Sequence, residues 1–412
     1  MIKKIKNIFS SELAKGGLAL VLGTFIFNVL NYIFHFSMAR MLGPADYGML
    51  ASLMAIIYLF TIPTETIQTT VARYAAIFKT RNEIGKIKSL MKRAIKKCWK
   101  WGLIGVLGFM LISPIIKGFL KFNSIVPLII ISLFILPICL SPVVRGIMQG
   151  TKKFKALGLN MSMEGAIKLV LSIVLVVLGL RVIGATSAIL IASFSMFFLS
   201  FYFLKDITKQ KEKYFDKKEI YSYSVPVFIA LICITVMFSI DMIIAKHFFS
   251  EQDAGIYAVA SLLGKMIFFA LTPIAKAMFP IIAERKESKK EYGHILRKAL
   301  LAVSGISILA LIVYYLLPEF IISLLFGNQY LMATSILFYV GLTFSLMTVS
   351  YVLIFYNLSV GKKRVIFALP IFAIAEIIML SLFNSSLMQF SISFLVINFI
   401  TCLFLFLFND KK

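Results

Sequence analysis

Twelve apolar stretches, each long enough to cross a bilayer, recur along this 412-residue chain. They fall at 16–38, 48–78, 101–120, 125–147, 157–180, 182–204, 222–248, 254–283, 299–317, 332–358, 365–384 and 389–408. About 20 mainly apolar residues cover the hydrocarbon thickness as a helix. A helix is also the open-chain form that satisfies its own backbone polar groups in lipid. The pattern therefore predicts an all-α integral membrane protein, and a 60% hydrophobic, 15% charged composition leaves little for soluble domains. The second and eighth stretches are long and carry Pro63 and Pro273 near their middles, where a kink is expected.

The net charge of +25 would suggest nucleic acid in a soluble protein. Here it sorts by side of the membrane. With strictly alternating loops, 34 of the 43 Lys and Arg fall on one side, five on the other and four inside spans. The positive-inside rule then places both termini in the cytoplasm of a multi-pass cell-membrane protein. No basic soluble module exists to bind nucleic acid. The four cysteines are scattered and the three histidines lack ligand spacing, so neither a metal nor another cofactor is expected. In the basic arm Met1–Lys15, Ile2, Ile5, Phe9 and Leu13 share a face, which reads as an interfacial amphipathic helix rather than a cleaved signal.

The chain repeats itself at half its length. The stretch from Ala39 to Leu50 is similar to that from Ala245 to Tyr257, and Lys92-Arg93-Ala94 to Arg297-Lys298-Ala299. Six spans per half make the repeat parallel, with a pseudo-twofold axis along the membrane normal and a path expected between the halves. The expected division is a bundle at 1–205, a cytoplasmic linker at 206–221 and a second bundle at 222–412.

Four stretches carry a family likeness: Ala39 to Gly48 (ARMLGPADYG), Arg145 to Gly150 (RGIMQG) with Phe154, Asp241 with Gly255-Ile256-Tyr257, and Leu324 to Tyr330 (LLFGNQY). With these the chain resembles the polysaccharide and O-antigen (Wzx-type) flippases of the multidrug/oligosaccharidyl-lipid/polysaccharide (MOP) exporter superfamily. The resemblance implies a MATE-like pair of six-helix bundles around a cavity that opens alternately to each side. It also implies a lipid-linked glycan as cargo, with membrane lipids and glycan-assembly enzymes as partners. The glycines of these motifs read as turn formers: Gly43, Pro44 and Gly48 between spans, Gly146 and Gly150 at the cytoplasmic surface.

Ionisable residues inside spans are costly and so face a cavity or a partner. The bases are Arg73, Lys168, Lys265 and Lys276; the acids are Glu65, Glu164, Asp241 and Glu376. Glu164 and Lys168, four apart, either neutralise one another or serve cargo. Lys265 and Lys276, eleven apart, share a face and make a candidate cavity wall. A phosphate-bearing headgroup needs a wet, positive path. Lys168, Lys265 and Lys276, with Arg73 and Arg40, are the expected substrate-binding cations. Glu65, Glu164, Asp241 and Glu376 are the candidates for ion coupling, by proton or sodium, with the membrane potential as the alternative drive.

Two other functions compete. A MATE-like exporter of drugs or organic cations would favour a net acidic cavity. A membrane-embedded glycosyltransferase or polymerase would need catalytic acids on large outer loops. The outer loops here are short and no nucleophile-plus-base pattern stands out, so an enzyme is not expected.

Overall fold

The computed structural model describes residues 12–214, 225–289, 291–361 and 363–408. Most of the expected N-terminal amphipathic arm, and residues 215–221 of the expected linker, lie outside them. Every regular element among the described residues is helical. They are α1 (Glu12–Phe60), α2 (Ile62–Thr80), α3 (Ile84–Phe119), α4 (Val126–Gly150), α5 (Phe154–Leu175), α6 (Arg181–Phe203) and the one-turn α7 (Lys205–Thr208). Then follow α8 (Val225–Phe248), α9 (Glu251–Glu287), α10 (Gly293–Leu316), the short α11 (Pro318–Leu325), α12 (Thr334–Ser359), α13 (Lys363–Leu382) and α14 (Leu387–Leu407).

Ten of these helical stretches are long and apolar enough to cross a membrane. Two of them, Leu20–Phe60 and Phe154–Phe203, run to 41 and 50 residues, enough for two crossings each. The first is broken at Gly43 (φ 76°, ψ 172°), a conformation open to glycine. The second is broken by a π-helical turn, Val176–Leu180, with Gly179 at φ 87°. Near Pro63 the helix is interrupted at Thr61, so α2 starts afresh with the proline in its first turn. At Pro273 no interruption occurs, and α9 runs unbroken from Glu251 to Glu287.

The chain forms two compact units. One holds the chain to Leu42 and Phe60–Ser222; the other holds Gly43–Leu59 and Tyr223–Lys412. A single boundary at 206–221 does not describe this division, because Gly43–Leu59 packs with the second unit.

In the first unit α4 is the central helix, packed by α2, α3 and α6. Its Gly146 lies inside the helix and Gly150 is its last residue, so the turn itself falls just beyond them, at 151–152, and neither glycine forms it. They are four apart and face α2. A Cβ on Gly150 would sit 2.2 Å from Ala72 O, and one on Gly146 2.7 Å from Gln68 O. This is close backbone approach through small residues, the packing device of membrane helices. Helix α3 is about 54 Å long at 1.5 Å per residue, well beyond a hydrocarbon core of ~30 Å. Its first turns carry Lys86, Lys88, Lys92, Arg93, Lys96, Lys97 and Lys100, with exposed Trp99 and Trp101 where the polar half gives way to the apolar one. That is where interfacial aromatics belong.

In the second unit α9 and α12 pack along the most extensive contact, and Gly264 makes room for the Phe344 ring. Gly48 also departs from the turn expected of it. It lies beyond the break at Gly43 and packs on Gly255 of α9.

Candidate functional site

Among the described residues each unit holds a polar cluster, part-buried in the first and buried in the second. In the first, Asn160, Glu164 and Lys168 follow one another at four-residue steps along α5 and so share a face. The Glu164 carboxylate does not pair with Lys168. It accepts from Arg145 Nη2 of α4 and, at 2.6 Å, from Ser193 Oγ of α6. Arg145 and Glu164 side chains are each 16% exposed. Arg145 Nε donates to Asn160 Oδ1 at 3.0 Å, and Asn160 Nδ2 donates to Met196 O and Ser200 Oγ, both at 3.0 Å. The Lys168 ammonium turns instead to Asn31 Oδ1 of α1 and stands 4.3 Å from the centre of the Phe34 ring. Its direct partners are therefore uncharged, and the cluster as a whole carries two cations against one carboxylate.

The second cluster repeats the pattern with opposite balance. Tyr257, Ser261 and Lys265 follow at four-residue steps along α9, and all three reach Asp241 of α8. Lys265 Nζ lies 3.2 Å from Asp241 Oδ1; Ser261 Oγ and Tyr257 OH donate to Oδ2 at 2.6 and 3.2 Å. Asp241 is 0% exposed and Lys265 7%. Phe238 and Phe344 flank the ammonium at 5.0 and 5.5 Å, inside cation–π range. Glu376 of α13 completes the group. It is 0% exposed, its Oε2 accepts from Asn398 Nδ2 at 3.1 Å, and its Oε1 has no hydrogen-bond partner.

The remaining expected residues sit elsewhere. Lys276 is exposed, whereas Lys265, three turns before it, is buried in an ion pair with Asp241. Arg40, Glu65 and Arg73 are exposed. The residues not among the expected site residues are Arg145, named only as part of the RGIMQG stretch, and the neutral partners Asn31, Asn160, Ser193, Tyr257, Ser261 and Asn398. Two of these sets were signalled by four-residue polar spacing on otherwise apolar helices. Among the described residues no three of His, Cys, Asp and Glu converge as metal ligands, and all four cysteines are free.

Long apolar helices with buried charge clusters define a multi-pass membrane protein, and its fold is that of a known transporter class. An inward-facing multidrug-resistance MATE family transporter of the MOP superfamily superposes with a TM-score of 0.77 over 93% of both chains, at 12% identity. The outward-facing form gives 0.66 over 98% of both, at 14%. A MOP superfamily transporter from Pyrococcus furiosus, described as having a binding pocket of reversed polarity that suggests a different function, gives 0.62 at 14% over 96% of this chain and 94% of that one. In sequence, residues 13–286 match the polysaccharide biosynthesis protein family, and the chain belongs to it. An uncharacterized membrane protein of Methanocaldococcus jannaschii is 26% identical over 67% of this chain and 69% of its own. The Lsg locus putative protein 1 of Haemophilus influenzae is 27% identical over 43% of this chain. That match spans only 46% of the Haemophilus protein's length.

Proposed function

We propose that this protein is a flippase. It carries an oligosaccharide linked to an isoprenoid phosphate or pyrophosphate across the cytoplasmic membrane by alternating access, with both termini in the cytoplasm. The family match and the transporter fold support a membrane transporter serving polysaccharide biosynthesis. The observation that carries the anionic cargo is Lys168. It is a lysine inside an apolar helix whose direct partners are an amide and an aromatic ring, in a cluster where Arg145 already neutralises Glu164. A phosphate would supply the anion this cluster lacks, through charge and donated hydrogen bonds together. The isoprenoid tail stays in lipid while the headgroup crosses. With an inside-negative potential of 100 mV, each negative charge moved outward is favoured by about 2.3 kcal/mol.

Export of a drug or organic cation is the weaker reading. The carboxylates that could hold a cation, Asp241 and Glu376, are fully buried, and Asp241 already holds Lys265. The deciding test reconstitutes the purified protein in liposomes with a fluorescent isoprenoid-pyrophosphate oligosaccharide and follows its leaflet distribution. Flipping that is lost in Lys168→Met and kept in Lys168→Arg supports the reading. Equal flipping in all three proteins, or transport of organic cations with no movement of the lipid, overturns it.

A further inference from the structure

We infer that Glu376 is a proton-carrying site, and that Lys265 is a built-in counter-ion shared between it and Asp241. The asymmetry of the two carboxyls is the starting point. Asp241 takes three donors, the ammonium of Lys265 and the hydroxyls of Ser261 and Tyr257. Glu376, equally buried, takes one amide hydrogen bond on one oxygen and none on the other. An ionised carboxylate buried with a bare oxygen is far costlier than the neutral acid, whose charge has been removed. In the arrangement seen, Asp241 is the ionised partner of Lys265 and Glu376 holds the proton.

From α8 comes Asp241 and from α9 come Lys265 and Tyr257, all of which act on the site electrostatically. From α14 comes the neutral Asn398, and α12 carries no Asp, Glu, Lys, Arg or His. The exchanged ion is a proton rather than a metal cation, because the position a cation would take beside Asp241 is filled by the ammonium of Lys265. Loss of the proton from Glu376 leaves two carboxylates and one ammonium. Lys265 then divides itself between them, which pulls on α8, α9 and α13 together. At 0% exposure the proton cannot exchange in the arrangement seen, so exchange accompanies movement of these helices. The proton leaves to the side on which the site opens, and one is taken up from the other side per cycle.

The proton site stands apart from the cargo assigned above; only its use in driving transport rests on that reading. The test is infrared difference spectroscopy of the full chain in liposomes between acidic and alkaline pH, following the carbonyl stretch of a buried carboxylic acid. One such band is expected in the unaltered protein, absent in Glu376→Gln. In Asp241→Asn, Lys265 is freed to pair with Glu376, so the band is expected to vanish at a pH where the unaltered protein keeps it. A band unchanged in Glu376→Gln overturns the site, as does a band removed by sodium chloride, but not choline chloride, at constant pH. Near-equal thermal unfolding of Glu376→Gln and the unaltered protein excludes loss of the band through misfolding. In the flipping assay Glu376→Gln is expected to keep potential-driven transport and lose its response to a pH gradient; a retained response overturns coupling. If no lipid is flipped at all while the band behaves as stated, the cargo assignment fails and the proton site stands.

Discussion

Gly48 and Gly255 meet backbone to backbone: a Cβ on Gly48 would lie 2.7 Å from the Gly255 nitrogen. The two residues belong to the two copies of the repeated motif, Gly-Pro-Ala-Asp-Tyr-Gly and Asp-Ala-Gly-Ile-Tyr. Gly255 is the tighter position, since a Cβ there would come within 1.8 Å of Pro44 O. The obstacle is backbone, which cannot rotate away as a side chain can. Gly255→Ala is therefore expected to destabilise by at least the ~1–3 kcal/mol typical of overpacking. Gly305→Ala, on the face of α10 with nothing within 4 Å, is expected to stabilise by roughly 0.5–1 kcal/mol through helix propensity. Thermal unfolding of the two variants in one detergent checks the opposite signs.

Replacing Lys168 by Met removes a cation while keeping its apolar stem. A charged hydrogen bond to bound phosphate is worth about 1.5–3 kcal/mol, so headgroup affinity is expected to fall by roughly 10- to 100-fold. Titration of the purified protein with a short-chain isoprenyl pyrophosphate reads this directly. Lys276→Gln, at an exposed position outside both clusters, is expected to move affinity by less than a factor of about three, in line with the small worth of exposed charge pairs.

Arg145 and Glu164 are coupled through one carboxylate that Ser193 also donates to. Glu164→Gln keeps an acceptor oxygen but removes the counter-charge of the Arg145 guanidinium, and is expected to cost about 1–3 kcal/mol of stability. Arg145→Met alone should cost a similar amount, because it strands the carboxylate. Combined, the two should cost less than the sum, and a double-mutant cycle of unfolding temperatures measures that coupling. Strict additivity would show that the two side chains do not interact.

Asp241 and Lys265 allow the same cycle at greater depth. Lys265→Met strands a fully buried carboxylate, whereas Asp241→Asn leaves the Lys265 ammonium with Glu376 as its remaining anion. Lys265→Met is expected to destabilise by about 3–5 kcal/mol and Asp241→Asn by less, and adding Asp241→Asn to Lys265→Met should recover part of the loss, because the stranded buried charge is then removed. Expression and unfolding of the three variants in one host decide the outcome.

Hydrophobic run length, a one-dimensional property, already specified an all-helical, multi-pass membrane protein. So did the half-chain repeat for its two-part construction. The Glu164–Lys168 step was likewise read, because helical periodicity puts residues four apart on one face, and the same rule extends it to Asn160 and links Tyr257, Ser261 and Lys265. What occupies the space opposite such a face is set by other helices, distant in sequence. Glu164 could be matched to Lys168 on its own helix, but its bonded partner is Arg145 on the preceding one. Lys265 and Lys276 share a face by spacing, yet Asp241 buries the first and the second stays exposed. The motif glycines looked like turn formers, and only the contacts of Gly150 with Ala72 and Gly255 with Pro44 reveal them as places where two backbones touch. Pairing and close approach depend on how helices cross, and crossing is settled by packing across the whole unit.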